Sequence, residues 1–314
     1  YTGALHNTSL SLGGNRPNNL NRILCARCHS AQGFINEVIG GKPQPIPAAT
    51  TSVVYANGSP MTCSTCHDPH NGSNEMQLRA KSVSEACTGC HILRLSASGG
   101  THTSHQGSML MGANLPPFSA DLWNSYITAP ANTLQQVQAA VGTWGGWEFP
   151  GYNYENSSHS DIKERCVQCH MASSPSFLAA SASNFAKADT MMTKLGGHTF
   201  KVAYDNIVGK DTTTILNPTG CEECHGEVSI DFVELTQAKT TTLLANLFKA
   251  LPKRDSAGTS IISINDTVTY QAWAKAPANL KRKLTTTDRA AAFNYRFVNN
   301  DGSFGVHNFT YAKG

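Results

Sequence analysis

The chain has 314 residues, of which 40% are apolar and only 14% charged, and its formal net charge is +3. Soluble domains average about 25% charged residues. The balance excludes a highly charged disordered chain and a basic nucleic-acid-binding surface. No apolar run approaches the ~18 residues of a membrane-spanning helix. At roughly 100–200 residues per domain, the length fits one large domain or two small ones.

The first sixty residues are rich in Gly, Asn and Pro. Lys42–Pro47 reads as extended and Ser52–Tyr55 as a short strand. Leu134–Val141, Asp161–Ala172 and Pro175–Asp189 read as helices. Phe232–Ala250 is the longest helical pattern, with Phe232, Leu235, Leu243, Leu247 and Phe248 along one face and Pro252 ending it. Thr259–Tyr270 carries Ile261, Ile262, Ile264, Val268 and Tyr270 about Asn265-Asp266 and reads as a β-hairpin. Asp288–Asn299 reads as the final helix. The chain opens on Tyr1 rather than Met, so a leader removed by processing is expected.

All ten cysteines fall into five pairs of one kind. They are Cys25-Ala-Arg-Cys28-His29, Cys63-Ser-Thr-Cys66-His67, Cys87-Thr-Gly-Cys90-His91, Cys166-Val-Gln-Cys169-His170 and Cys221-Glu-Glu-Cys224-His225. Cys-x-x-Cys-His is the attachment signature of c-type haem. Two thiols add to the haem vinyl groups, and the following His becomes the proximal iron ligand. Five disulfides or zinc ribbons would use the same cysteines, but neither requires His after each pair. The expected cofactors are therefore five haem c groups. The proximal ligands are His29, His67, His91, His170 and His225.

Twelve histidines less five leave seven. Bis-His coordination of five irons needs five, so the supply suffices without methionine. His159 lies shortly before the fourth motif, and Ser160-Asp161 can cap the helix that carries it. His198 follows Gly196-Gly197, whose backbone can approach a flat macrocycle. His307 follows the turn Asp301-Gly302-Ser303-Phe304-Gly305. His6 precedes the first motif. His102 and His105 are three apart, so one of them is expected to ligate; His105 is preferred, with His102 as its substitute. His70 is too close to His67 to bind the opposite face of the same iron, but it can reach a neighbouring haem. Arg22, Arg27, Arg79, Lys163 and Arg165 lie near motifs and are candidates to pair with propionates. Each ferric bis-His haem contributes about −1 net, so the holoprotein is expected to be negative despite the +3 of the chain.

The stretch from Cys63-Ser-Thr-Cys-His-Asp-Pro-His70 to Cys87-Thr-Gly-Cys-His91 resembles the doubled module of multihaem cytochromes, in which the second His of the Cys-His-x-Pro-His run commonly ligates a partner haem. Here that residue is His70. The order of His6, Cys166-Val-Gln-Cys-His-Met171, His198, the last motif at Cys221 and Val306-His307-Asn308 also resembles the pentahaem nitrite reductase and hydroxylamine oxidoreductase lineage. Those reductases usually bind the active-site haem through Lys in Cys-x-x-Cys-Lys. All five motifs here end in His. Low charge, bis-His supply and secreted character look more like the subunits of extracellular cytochrome filaments, some of which borrow a distal His from the next subunit. His6 is the expected lender.

The expected fold is a multihaem cytochrome c of short α-helices and irregular loops around a haem array, with a minor β-hairpin. Residues 1–230 would form the five-haem domain. Residues 231–314 would return a distal His to it within the same compact unit. The expected function is electron transfer without substrate chemistry, with nitrite or hydroxylamine reduction as the less favoured alternative. An extracellular filament is favoured over a discrete periplasmic or surface carrier. The expected partners are copies of the chain, other redox proteins or an extracellular electron acceptor, and neither nucleic acid nor a transmembrane span is expected. Thioether attachment takes place outside the cytoplasm, which sets the expected localisation as extracellular or cell surface, with the periplasm as the alternative.

Overall fold

The computed structural model describes residues 6, 9, 23–40, 58–93, 101–119, 121–122, 144–174, 195–254, 258–262, 268–270 and 281–314. The elements expected at 42–47, 52–55, 134–141 and 175–189 lie outside them. The chain divides into two compact units. The first comprises Tyr1–Cys90 and Ile162–Phe232; the second comprises His91–Asp161 and Val233–Gly314. The sequence reading places one boundary at residue 230 inside a single unit. Here a boundary falls at Phe232, and His91–Asp161 groups with the C-terminal segment.

Short helices carry the first unit. Helix α1 (Ile23–His29) ends at Ser30, whose hydroxyl donates to the Ala26 carbonyl at 2.9 Å and accepts from Gly33 N at 3.0 Å. Ser30 thereby caps α2 (Ala31–Gly33), which runs into a π-helical turn at Phe34–Ile39. Helix α3 (Cys63–Cys66) follows Thr62, whose N–H donates to Thr65 Oγ1. Helix α4 (Val83–Thr88) starts with a reciprocal cap. Ser82 Oγ accepts from Glu85 N, and the Glu85 carboxylate takes the Lys81 N–H at 2.9 Å. Such caps satisfy amide donors that a helix start leaves open. Later in this unit come α6 (Cys166–His170), the antiparallel hairpin β1 (Ala203–Val208) with β2 (Asp211–Leu216), and α7 (Thr219–His225).

The second unit holds α5 (Gln106–Met111), α8 from Val233 onwards (the helix spans Ile230–Ala250), α9 (Thr286–Asp301) and α10 (Phe309–Lys313). Its core is aromatic. Phe293 on α9 stacks on Phe118 at 4.4 Å between ring centres and lies 6.2 Å from Phe297 and 6.5 Å from Trp147. Ala290, Phe293, Phe297, Val298 and Asp301 are buried on α9 with the i, i+3, i+4, i+7 spacing of one helix face, and Ala292 is buried beside them against Ile261 and Ile262. Asn294 on the same helix takes the Trp147 N–H at 2.8 Å and donates back to its carbonyl at 2.7 Å. Asn308 is fully buried and donates to the Met109 and Leu110 carbonyls and to Asn156, while its carbonyl oxygen accepts from Ser157 N and Tyr311 N.

Several elements differ from the sequence reading. The helix expected over 161–172 is only Cys166–His170, preceded by a 3-10 turn at Ser158–Asp161, because Arg165 at φ 42° breaks the run. The hairpin expected within 259–270 does not form as one unit. Ile261 bridges to Lys253, and strand β3 (Val268–Tyr270) pairs with β4 (Lys281–Lys283) instead. The β1–β2 hairpin was missed, although Thr212–Thr214 and Ile215 are good strand formers. Helix α8 forms as expected and ends before Pro252, but it buries Thr240 and Leu244 and leaves Phe232, Leu235 and Leu243 exposed. The last long helix begins earlier than expected, with Thr285 and Asp288 forming a capping box, and α10 follows it.

Phe293→Ala removes the ring at the centre of the second unit's core. Replacing a buried Phe costs about 3–5 kcal/mol. The expected result is a clear drop in the urea midpoint of the holoprotein followed by far-UV circular dichroism.

Candidate functional site

Each cysteine pair sits on or at the end of a short helix. Residues three apart on a helix share a face, so each pair turns both thiols to one side. In the third motif the helix ends at Thr88, and Cys90 N–H closes the turn on the Cys87 carbonyl at 3.1 Å.

Within the first unit the later motifs adjoin one another, and the turn after the first reaches the third. The π-helical turn after motif 1 meets motif 3, where a Cβ on Gly89 would lie 2.2 Å from Val38 Cγ1. Glycine between those two cysteines is therefore what lets the turn approach. The Cys87 thiol of motif 3 hydrogen-bonds that of Cys166 in motif 4, and this bond, then burial, pushes the Cys87 thiol up, with Cys166 and Cys66 adding. Burial pushes the Cys169 thiol up to about 11, and Cys221 and Cys224 of motif 5 lie close enough to add to the shift. Helices α6 and α7 touch through Gly220, whose Cβ would fall 2.4 Å from the Gln168 carbonyl oxygen. Thiols of successive motifs thus lie side by side along α3, α4, α6 and α7.

The histidines show a common arrangement. A metal-ligating imidazole donates its other N–H to an oxygen, which fixes tautomer and ring direction. His29 Nδ1 faces the Ser9 carbonyl at 2.9 Å, and Ser9 Oγ in turn donates to the His29 carbonyl and accepts from Met61 N. His67 Nδ1 faces the Met76 carbonyl at 2.8 Å, and His170 Nδ1 the Phe200 carbonyl at 2.9 Å. His91 Nδ1 faces Gln106 Oε1 at 2.8 Å. An Nδ1–H donor leaves the lone pair on Nε2, the atom that would bind iron. These four residues fit the proximal role in c-type haem attachment. His225 packs its ring 5.4 Å from Phe232.

Among the candidate distal residues, His159 Nδ1 faces the Val306 carbonyl at 2.7 Å, and His307 Nδ1 the Asp301 carboxylate at 2.8 Å. Burial alone would raise the Asp301 carboxyl, but the facing His307 ring and the Ser303 hydroxyl, with His105 nearby, hold it below its ordinary value. His198 lies in a 3-10 turn at Gly197–Thr199, and its ring centre is 6.0 Å from that of His67, with 50° between ring planes. Metal–imidazole bonds are about 2.0–2.1 Å long. Adding the distance from nitrogen to ring centre on both sides puts two imidazoles on opposite faces of one metal roughly 6 Å apart between ring centres. Gly196 does not face open space, since a Cβ there would lie 2.1 Å from the Ala172 carbonyl oxygen. It ties the His198 turn to the end of motif 4. His6 packs edge-on against Phe200 at 5.1 Å. His6 thus packs within the first unit of its own chain. His70 is exposed, its backbone N–H donating to Asp68 Oδ1.

One ligand preference is corrected. His105 is fully buried and stacks on Phe297 at 4.9 Å. Its Nδ1 lies 2.8 Å from the His102 carbonyl and its Nε2 2.6 Å from the Phe297 carbonyl. Both nitrogens are engaged by the backbone, so His105 holds the 101–106 loop to α9 and is not placed to ligate. His102, the other candidate of the pair, has Nδ1 facing the Thr103 carbonyl at 2.6 Å. Arg79 is also committed elsewhere than expected, to Asp68 Oδ2 at 2.9 Å and the Ser64 carbonyl. Sequence reasoning missed the acceptors, chiefly Gln106, Asp301 and the carbonyls of Ser9, Met76, Phe200 and Val306.

His102→Ala is expected to remove one low-spin haem signal from the EPR spectrum. His105→Phe is expected to leave every low-spin signal in place. It lowers stability by about 1–3 kcal/mol through the carbonyl partners it strands, read as a lower urea midpoint.

Residues 55–92, which hold the second and third motifs, match the family described as the doubled CXXCH motif. Neither a curated protein nor a solved structure gives a significant match to the chain. Among the described residues, no helix is long and apolar enough to cross a membrane. The doubled motif, together with the anchored histidines that follow the cysteine pairs, supports a multihaem c-type cytochrome that binds haem c covalently and transfers electrons.

Proposed function

We propose that the chain binds five haem c groups, one at each cysteine pair, and passes electrons along them through irons ligated by two histidines each. The observation that carries this reading is the His67–His198 pair, whose ring centres at 6.0 Å have the spacing of two axial ligands on one metal. His198 becomes the distal ligand of the haem held by Cys63 and Cys66. His6, His70, His102, His159 and His307 are the remaining candidates for the other four.

Haem c, when bound, supplies an iron that accepts and returns one electron, at a potential set by its ligands, their hydrogen bonds and burial. The chain's own residues do the rest. Side-by-side thiols of motifs 3 and 4, and of motifs 4 and 5, favour short separations between successive tethered groups. Anchored Nδ1 atoms keep each ring from rotating as charge on the metal changes. With histidine supplied to every face, the reading is a carrier and not a reductase.

Thioether attachment takes place outside the cytoplasm, and on this reading the protein acts at the cell surface or beyond, with the periplasm as the alternative. We further read the chain as a subunit that associates with its own copies into an extracellular conduit. Low charge content and the exposed Ile207, Val208, Leu235 and Leu243 favour such association. The periplasmic or surface carrier is the alternative.

The pyridine haemochrome assay should give five haems per chain, falling by one in the Cys166→Ala/Cys169→Ala variant. His198→Ala should convert one low-spin haem to high-spin without loss of covalent haem; an unchanged EPR spectrum would remove the His67–His198 pairing. Electron microscopy separates the two modes of action. Filaments support the conduit, and compact particles at every concentration return the protein to a discrete carrier.

A further inference from the structure

Among the described histidines whose Nδ1 partner is defined, His307 alone faces a carboxylate. His29, His67, His102, His105, His159 and His170 face backbone carbonyls, and His91 faces a side-chain amide. Asp301 is the last residue of α9, and its side chain is 1% exposed. One carboxylate oxygen lies 2.8 Å from His307 Nδ1. The other takes the Ser303 N–H at 3.1 Å and the Ser303 hydroxyl. Ser303 Oγ also accepts the His307 N–H at 3.2 Å. The carboxylate is thus aimed at one ring and held there by a turn that the same residues build.

We propose that Asp301 is a positioning residue that lowers the potential of the iron His307 ligates; this rests on the reading of His307 as a distal ligand. The reason is electrostatic. A carboxylate accepting from Nδ1–H draws the proton away from the ring and raises the electron density at Nε2. A more basic ligand stabilises Fe(III) over Fe(II). A neutral carbonyl does this less, because charge-assisted hydrogen bonds are roughly twice as strong as neutral ones. Burial strengthens the effect, since the local dielectric is low.

The same residue reaches a proximal ligand. For His91 to keep Nε2 for metal, its Nδ1 must donate, so Gln106 presents its oxygen at 2.8 Å. The Gln106 amide N–H then donates to the Asp301 backbone carbonyl at 3.0 Å. Asn300, next to Asp301, fixes the other end of this loop by donating to the Thr101 carbonyl and hydroxyl. The C-terminal end of α9 therefore orients His91 through Gln106 and His307 through the Asp301 carboxylate, and only the second contact carries charge.

The test is a spectroelectrochemical titration of the holoprotein. In Asp301→Asn one midpoint should rise. The Fe(III)/Fe(II) ratio of that haem should fall about tenfold at fixed potential, ~59 mV for a one-electron couple, with low-spin EPR retained and the other midpoints unmoved. In Ser303→Ala, loss of the competing hydroxyl donor should move the same midpoint downward. Unchanged midpoints in Asp301→Asn, or loss of a low-spin signal in place of a shift, would overturn the proposal. If Asp301→Asn does not accumulate, Ser303→Ala decides: a fall supports the proposal, and no shift overturns it. His307→Ala separates this from the ligand assignment. If it leaves every low-spin signal intact, His307 is no ligand and both readings fall. If it removes one signal while Asp301→Asn shifts nothing, only the role of Asp301 falls.

Discussion

An imidazole can offer only one nitrogen to a metal, and the other must then find an acceptor inside the protein. That constraint organises the described parts of this chain more than any hydrophobic cluster does. It ties Ser9 to His29, Met76 to His67 and Phe200 to His170 in the first unit, and Gln106 to His91, Val306 to His159 and Asp301 to His307 in the second. Several of these bonds join residues far apart in sequence. Each anchors a loop with little regular structure at one fixed point, and so substitutes in part for the sheet ladders and long helix contacts that such loops do not have.

The two units meet the constraint differently. In the second unit an aromatic core of Phe118, Trp147, Phe293 and Phe297 fixes α9, and α9 then presents its C-terminal end to Gln106 and His307. Histidine orientation there is a consequence of packing. In the first unit the described buried apolar residues are few and mostly small, with Phe34, Met61, Leu78 and Leu195 the largest. Orientation there comes from main-chain carbonyls and from close approach at Gly89 and Gly220. On the proposed reading this is physically consistent. Porphyrin discs bury a large apolar area and take the place of side-chain core wherever tethers are dense.

What could be read from the residues follows from where the information lies. The motifs are covalent requirements of local spacing, so ten cysteines and five histidines were legible without any fold. Helix α8 was legible as a pattern with Pro252 beyond its end, but its buried side was not. The choice of Leu244 over Leu243 is made by the elements it packs on, and a helix alternately apolar on two faces does not state which one is covered. His105 against His102 was undecidable locally, because the carbonyl that claims His105 Nε2 belongs to Phe297, nearly two hundred residues away. The strand at 268–270 was found, but ten residues separate it from its partner at 281–283, and the nearer Asn265-Asp266 pointed the hairpin there instead. The carboxylate behind His307 was within reach. Asp301, Ser303 and His307 fall at the spacing of a tight turn, and such a turn brings an acidic side chain back to a following ring.

The kind of acceptor matters as much as its presence. Backbone carbonyls face both the ligand candidates and the structural His105 here, and they vary little in charge or basicity, so ligands anchored only to them would differ mainly through burial and neighbouring charge. Side-chain acceptors are different, because a single substitution can change their charge without moving the backbone. The described ligand candidates that use side chains, His91 and His307, both belong to the second unit and both depend on the end of α9. On the proposed reading, a gradient of potential could therefore be tuned at one helix terminus while the motifs of the first unit keep their geometry. On that reading the two controls are separate: spacing between tethered groups would be set where thiols meet, and driving force where a carboxylate meets an imidazole.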